Sequence, residues 1–533
     1  MRLLNYILLI ICLIATPIVH AQESPVEKGL KAITPDAIRA QMGFLASDWM
    51  EGRESGEKGE YLAGDYIASM LQLYGVKPGG DYLKATEHTY SFVPGKRSYF
   101  QNFILLKSLP AGEPSLTLTL RSGDAIRTTT LSNNVDFSVR PVYRSVEINA
   151  PVVFAGYGFR NERLKYNDIS RTDIKGKFIL KISGYPAFAG NRLTPQEINA
   201  AAGSLESFAR ENGAAGIIEF NPHSLVTGRP ETRDFMNMSP AERNPAGTRY
   251  GARYSLPGKT MPDDFLRITV SSRVAEEILK GSGINIDDYL KKADSNQVYA
   301  IPGLTDRSIS FKAEAITTQV AVRNVIGIIE GNDPGQKIVI GAHYDHMGMI
   351  DGLIWNGADD NASGTVGALT LAKAFSATGT KPEKTIIIAL WSSEEKGLLG
   401  SRYFVRNPVS PLKNICLNLN LDMISRYISD ENRKGVDMIY TASFPHFRNI
   451  TEENLKRYGI DLVVNYFPSD DPPGGSDHRS FVEAGIPVMR FKPGHREEYH
   501  TPADEVSTVD WDIMEQIIRI SFANMWELAN GEW

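Results

Sequence analysis

The chain has 533 residues, with 57 basic and 63 acidic side chains, nine histidines, two cysteines and a formal net charge of -6. That length exceeds what one hydrophobic core usually supports, so two or three domains are expected. A mildly acidic surface of mixed sign argues against nucleic acid or an anionic membrane as the partner.

At the start, Arg2 precedes the apolar run Tyr6 to Ala15, then Pro17 and the small-residue exit Val19-His20-Ala21. This is the build of a secretory signal, with cleavage expected after Ala21. The run is shorter than the ~20 residues of a spanning helix, so the mature chain is expected to be secreted or periplasmic and free of the membrane. Cleavage removes Cys12 and leaves Cys416 alone. No internal disulfide can then form, and any metal must be held by His, Asp and Glu.

Next, "LAGDYIASMLQLYGV" (62 to 76) spaces its apolar residues as an amphipathic helix does. From about 105 to 315 the pattern becomes short alternating strands around one helix, "AAGSLESFAREN", as in a separate, mainly β module. From about 323, the apolar runs "VIGII", "KIVIGA", "KTIIIALW", "ICLNLNLDM" and "IPVMRF" alternate with helical stretches such as "SGTVGALTLAKAF" and "WDIMEQIIRISFANMWELAN". Such alternation predicts an α/β fold, a largely parallel mixed sheet sandwiched by helices. Ligands of such sheets bind beyond the carboxyl ends of the strands.

Those ends carry chemistry. "KIVIGA" is followed by His343, Tyr344, Asp345 and His346; "TIIIALWSS" by Glu394 and Glu395; "CLNLNL" by Asp422; and "IPVMRFKPG" by Glu497, Glu498, Tyr499 and His500. Asp359 and Asp360 precede a helix in "NGADDNASG". Taken singly, each has a plain explanation as a surface turn or a helix cap. A parallel sheet brings them to one edge, where several uncompensated carboxylates would repel, so a bound cation is expected. Imidazole mixed with carboxylate suits zinc, and more ligands than one tetrahedron needs suggest two ions sharing a carboxylate.

The segments "GAHYDH", "NGADDNASG", "SSEEKGLLGS", "NLDM", "GGSDHRSF" and "EYHTPAD", in this order, resemble the metal-binding segments of dizinc exopeptidases, the family of bacterial zinc aminopeptidases and glutamate carboxypeptidase. The resemblance covers about 323 to 533 and extends to "LASDWMEGRESGEKGEYLAGDYIASML". The middle module is similar to the protease-associated domain inserted in many members. The implied organisation is a signal at 1–21, an N-terminal part of the peptidase domain at 22–105, an inserted protease-associated domain at 106–315 and the catalytic zinc-peptidase domain at 316–533.

The resemblance implies that His343 and Asp422 hold one zinc, Glu395 and His500 the other, and that Asp360 bridges both. It makes Glu394 the general base that takes a proton from water and returns it to the leaving amine. Asp345, two residues beyond His343, would share its face on an extended segment and accept the imidazole N–H, while His346 would face away. Ser476, Asp477, His478 and Tyr499 are candidate pocket residues, and a cis peptide is expected at Asp360-Asn361. The implied activity is that of a metallo-aminopeptidase acting on peptides. A carboxypeptidase or dipeptidase of the same fold should carry a basic cluster for the substrate carboxylate, and none stands out near the motifs. A single-zinc glutaminyl cyclase fits less well because of "DDNASG" and the insertion. A non-catalytic receptor should show broken ligands, which this chain does not.

Overall fold

The computed structural model of the protein describes residues 23–83, 95–169, 173–223, 252–258, 265–297, 299, 301, 303–304, 306–350 and 352–533; the expected signal segment lies outside them. No helix among the described residues is long and apolar enough to cross a membrane.

Unbroken apolar runs become strands with both faces covered. In β4 (Asp333–His343), Ile338, Ile340 and Ala342 join one core and Val339 the other. In β5 (Lys384–Trp391), Ile386, Ile388 and Leu390 point one way while Ile387, Ala389 and Trp391 point the other. The remaining strands of this sheet are β1 (Phe100–Pro110), β2 (Arg253–Ser255), β3 (Ala315–Ile329), β6 (Ile415–Asn420), β7 (Gly435–Thr441), β8 (Val463–Ser469) and β9 (Val488–Lys492), ordered β2-β1-β3-β5-β4-β6-β9-β7-β8, with the short strand Lys77–Pro78 also on β3. The central four, β5-β4-β6-β9, are mutually parallel. The chain goes from β4 to β5 on one side and then to β6 on the other. That reversal opens a crevice at their carboxyl ends.

One face is covered by α1 (Pro25–Ala32), α2 (Pro35–Leu45), α3 (Lys58–Leu73), α4 (Gly364–Ala377) and α5 (Trp511–Asn530). α1 opens on a capping box in which Glu27 N–H donates to Ser24 Oγ and Ser24 N–H to Glu27 Oε2. The helix expected over 62–76 starts at Lys58 and closes at Leu73, where Gly75, at φ 75°, turns the chain.

Residues between β1 and β3 build a second sheet of eight strands, in the order Ala125–Leu131, Ser115–Ser122, Arg307–Ala313, Val146–Phe154, Phe178–Ile182, Gly216–Phe220, Leu266–Val270 and Phe137–Val139. It has its own core, including Phe154, Phe178 and Phe311. Two strands tie this module to the ten-stranded sheet: β1 and β3 pair antiparallel from Phe100↔Val325 to Pro110↔Ala315. The helix read as "AAGSLESFAREN" extends over Pro195–Glu211, started by a Thr194–Glu197 capping box.

Candidate metal centre

β4 delivers His343, whose Nε2 lies 3.3 Å from Asp360 Oδ1 and 3.6 Å from Asp422 Oδ1. His500 Nε2 lies 2.9 Å from the other oxygen of Asp360 and 3.3 Å from Glu395 Oε1. All four strand ends thus converge, and Asp360 faces two imidazoles with its two oxygens. Donor atoms of His343, Glu394 and Asp422 lie within 4.8 Å of one another, as do those of His346, Asp360 and Glu395.

The loop carrying Asp360 is held from three sides. The Asp360-Asn361 peptide is cis, as the resemblance implied. The Asn361 side chain donates to Leu421 O at 3.0 Å and accepts from the amides of Gly364 and Met423, which ties the loop to Asp422. Asp504 accepts from the amides of Asp359 (2.9 Å) and Asp360 (3.0 Å), and Arg426 donates to it at 3.1 Å. At Gly357, with φ 55°, a Cβ would stand 2.1 Å from Asp360 O, so only glycine lets the loop fold this tightly.

Three readings from sequence need correction. His346 does not face away: its Nδ1 lies 2.9 Å from Glu395 Oε1 and 4.0 Å from Asp360 Oδ2, and its ring is 5.9 Å from that of His500. β4 ends at His343, so strand alternation no longer governs the next residues; the His346 amide instead donates to Arg53 O at 3.1 Å. Asp345 does not reach the His343 ring with its carboxylate, which is 3.8 Å from Nδ1; its carbonyl is nearer, at 3.2 Å. The carboxylate accepts instead from the amides of Glu394 (2.9 Å) and Glu395 (3.4 Å) and from Ser55 Oγ (3.0 Å), so it shapes the turn bearing both glutamates. Ser476, Asp477 and His478 are all buried and offer substrate no surface. Asn420 donates to Ser476 Oγ at 2.8 Å, and His478 faces Pro473 O at 3.1 Å. Of the three, Ser476 hydrogen-bonds Asp422 and helps hold its pKa down.

Tyr499 is the exposed member of the candidate set, 38% accessible and stacked on His500 at 3.7 Å. His495 meets the Tyr499 ring at 4.7 Å, Lys492 contacts His495, and Arg490 Nη2 lies 3.8 Å from Asp422 Oδ2. A wall with three basic side chains therefore runs from one candidate ligand to another, where sequence showed no basic cluster. Arg490 and Lys492 alternate on β9, and their relation to Asp422 appears only once β9 is placed beside β6.

The electrostatics select the group that fits. Burial alone would lower the His500 pKa, yet Glu395 and Asp360 raise it to about 9. Burial likewise opposes ionisation of Asp422, yet His343 and Arg490 hold it below the usual carboxylate range. Burial and the neighbouring Glu395 and Asp477 push Glu394 well above that range, although His343 opposes this. Imidazoles that hold protons against clustered carboxylates suit a divalent cation able to displace those protons, and the N/O donor set without thiolate fits zinc.

A parallel sheet with such a cluster at its carboxyl edge has the build of a metal-dependent hydrolase. Residues 324–525 match the family model described as Peptidase family M28. The chain is 26% identical over 410 residues to a glutamate carboxypeptidase 2 homolog of Caenorhabditis elegans, a match covering 68% of this chain and 52% of that protein. It is 31% identical over 167 residues to leucine aminopeptidase 2 of Trichophyton rubrum, covering 31% of this chain and 32% of that one. It spans about half, or less, of the curated relatives it matches. A solved aminopeptidase from Aneurinibacillus sp. strain AM-1 shares the fold, with a TM-score of 0.55 and 18% identity over 95% of this chain and 97% of that one.

Proposed function

We propose that the protein is an exported metallo-aminopeptidase that hydrolyses the N-terminal bond of peptides, with two zinc ions held by His343, Asp360, Glu395, Asp422 and His500. His346 is an added donor on the Glu395 side, and the inserted module is a protease-associated domain. The observation that carries this reading is Asp360, whose two oxygens meet His343 and His500 separately, an arrangement that would suit a carboxylate shared between two ions. Bound there, zinc supplies a Lewis acid for the scissile carbonyl and for water.

The protein's own groups do the rest. Asp345 holds the Glu394 amide and so aims that side chain toward His343 and Asp422. Glu394 accepts the proton of the attacking water as the carbon–oxygen bond forms, then gives it to the leaving amine as the carbon–nitrogen bond breaks. Tyr499, stacked on His500, forms the open wall that the substrate meets.

A second reading, a metallo-carboxypeptidase or dipeptidase, is favoured by Lys492 and His495 beside Tyr499, which could meet a substrate carboxylate, with the buried Arg490 behind them facing Asp422. Zinc titration into metal-free protein, with cleavage of aminoacyl amides, N-blocked peptides with free carboxylates and N-terminal glutaminyl peptides followed in parallel, separates the readings. Two zincs per chain with hydrolysis of unblocked amides alone is expected. Cleavage of the N-blocked peptides selects the second reading, and ring closure of glutaminyl peptides at one zinc per chain overturns both.

A further inference from the structure

The matched family segment begins at residue 324, yet the site leans on a turn some 270 positions earlier. Residues 53–60 run along the carboxyl edge of the sheet. Ser55 donates to Asp345, Ser392 donates to Glu60, and Lys396 pairs with Glu54 at 3.2 Å. The turn is pressed close: Gly52 has φ 67°, and a Cβ there would stand 2.3 Å from Gly348 O.

Arg53 does most of this joining. It is 1% exposed, sits at φ 53° and spends four hydrogen bonds on main-chain carbonyls. Nε donates to Tyr344 O at 2.8 Å, Nη1 to Leu45 O at 2.7 Å and Asn356 O at 2.6 Å, and Nη2 to Gly357 O at 2.9 Å. Tyr344 lies between His343 and Asp345, and Asn356 and Gly357 lead into Asp360. One planar fork therefore spans the loop carrying His343 and His346 and the loop carrying Asp360. None of the four bonds goes to a carboxylate. The cation instead acts through space on Asp504, Asp345, Asp360 and Glu395, against a burial that draws its own pKa down to about 10.

We infer that Arg53 is a positioning residue for the metal centre: it sets the spacing of the two ligand loops and offsets the charge of the carboxylates gathered there. This rests on the reading of the cluster as a metal site. The geometry is specific to a guanidinium, because a lysine ammonium is a single point and cannot reach Tyr344 O and Gly357 O together while also bonding Asn356 O. Substitution at such outer partners typically weakens metal binding by about 10- to 100-fold.

The test compares zinc binding isotherms, cobalt absorption spectra and kinetics of wild type, Arg53→Lys and Arg53→Ala, all well below their melting temperatures. The expected result is zinc affinity about 10- to 100-fold weaker in both variants. A changed cobalt spectrum and, at saturating zinc, a lower kcat with little change in KM should accompany it. Added guanidinium should recover part of the affinity of Arg53→Ala. Variants that bind zinc as tightly as wild type, with unchanged cobalt spectra, overturn the assignment even if their melting temperatures fall. So does failure of both variants to fold, which marks a residue of general folding. Absence of zinc uptake by the wild type removes the metal reading itself, and this inference with it, so the two failures are told apart.

Discussion

The inserted module and the catalytic sheet both bury carboxylates, and they treat them in opposite ways. In the module, Asp168 accepts from the Tyr157 amide and the Tyr289 hydroxyl, each at 3.0 Å, with Tyr166 Oη 3.1 Å from Tyr289 Oη. Neutral dipoles suffice, and burial lifts its pKa only to about 6. At the edge of the catalytic sheet, Asp360, Glu395 and Asp422 crowd around His343, His346 and His500, and Glu394 and Asp477 are packed in behind. A lone buried acid can be solvated by hydroxyls and amides, whereas a gathering of acids calls for a cation. The contrast marks where the function resides.

The sharpest way to break the contrast is to remove the proposed base. Glu394→Gln should cut turnover by about 10²- to 10⁴-fold while zinc content stays at the wild-type value; survival of turnover would show that the edge does not work through this carboxylate. Metal removal comes next. Zinc at about 1,000 times its dissociation constant adds about 4 kcal/mol to the state that binds it. A chelator should therefore lower the melting transition of the catalytic sheet and leave that of the module in place, as calorimetry would resolve; equal shifts of both would break the comparison.

Acid acts on the two regions through different groups. Burial and Arg490 push His478 down to about 3, against about 6.5 in the unfolded chain. The unfolded state then takes up the proton first. The stability contributed by the neutral ring is complete above pH 6.5 and drains away as pH falls toward 3, at about 1.4 kcal/mol per unit. Asp168 works in the opposite sense. Its folded pKa of about 6 exceeds the unfolded value, so the module gains stability as pH falls from about 6 toward 4. Burial raises Asp477 and Asp359 to about 7 and Glu60 to about 8, so these carboxyls offset the His478 loss in the catalytic sheet. From pH 7 to pH 5 the module's transition should rise, and that of the catalytic sheet should rise further in His478→Gln than in the wild type, as melting curves would show. The smallest effect is local to the module: Asp168→Ala leaves Tyr289 and the Tyr157 amide without their acceptor and should cost about 1–3 kcal/mol there, with kcat unchanged.

Much of this was legible in the chain because the parallel strands are unbroken apolar runs and their ends carry His343, Glu394, Glu395, Asp422 and His500 within a few residues. What escaped lay where regular geometry stops. His346 follows the last residue of a strand, so a two-residue period does not apply to it. Asp345 was given to its nearest imidazole in sequence, but the turn at Glu394 comes closer in space. Arg53 stood inside a quoted stretch, and Asp504 inside another, yet neither type of residue signals that its partners are backbone groups of distant loops. The basic wall needed the order of β9 and β6, which hydropathy does not encode.

The pairing of β1 with β3 has a consequence for how this molecule can be taken apart. Pro110 lies opposite Ala315, and the Ala111 amide donates to Glu314 O at 2.8 Å, so the module leaves and re-enters the sheet at neighbouring points. It is grafted onto a hairpin stem, and between its two ends it returns to the ten-stranded sheet at β2. Excising 111–314 and sealing the stem with a short turn would return a continuous antiparallel edge. That edge would lack β2, and with it the buried Tyr254 that packs beside Leu399 behind the glutamate turn.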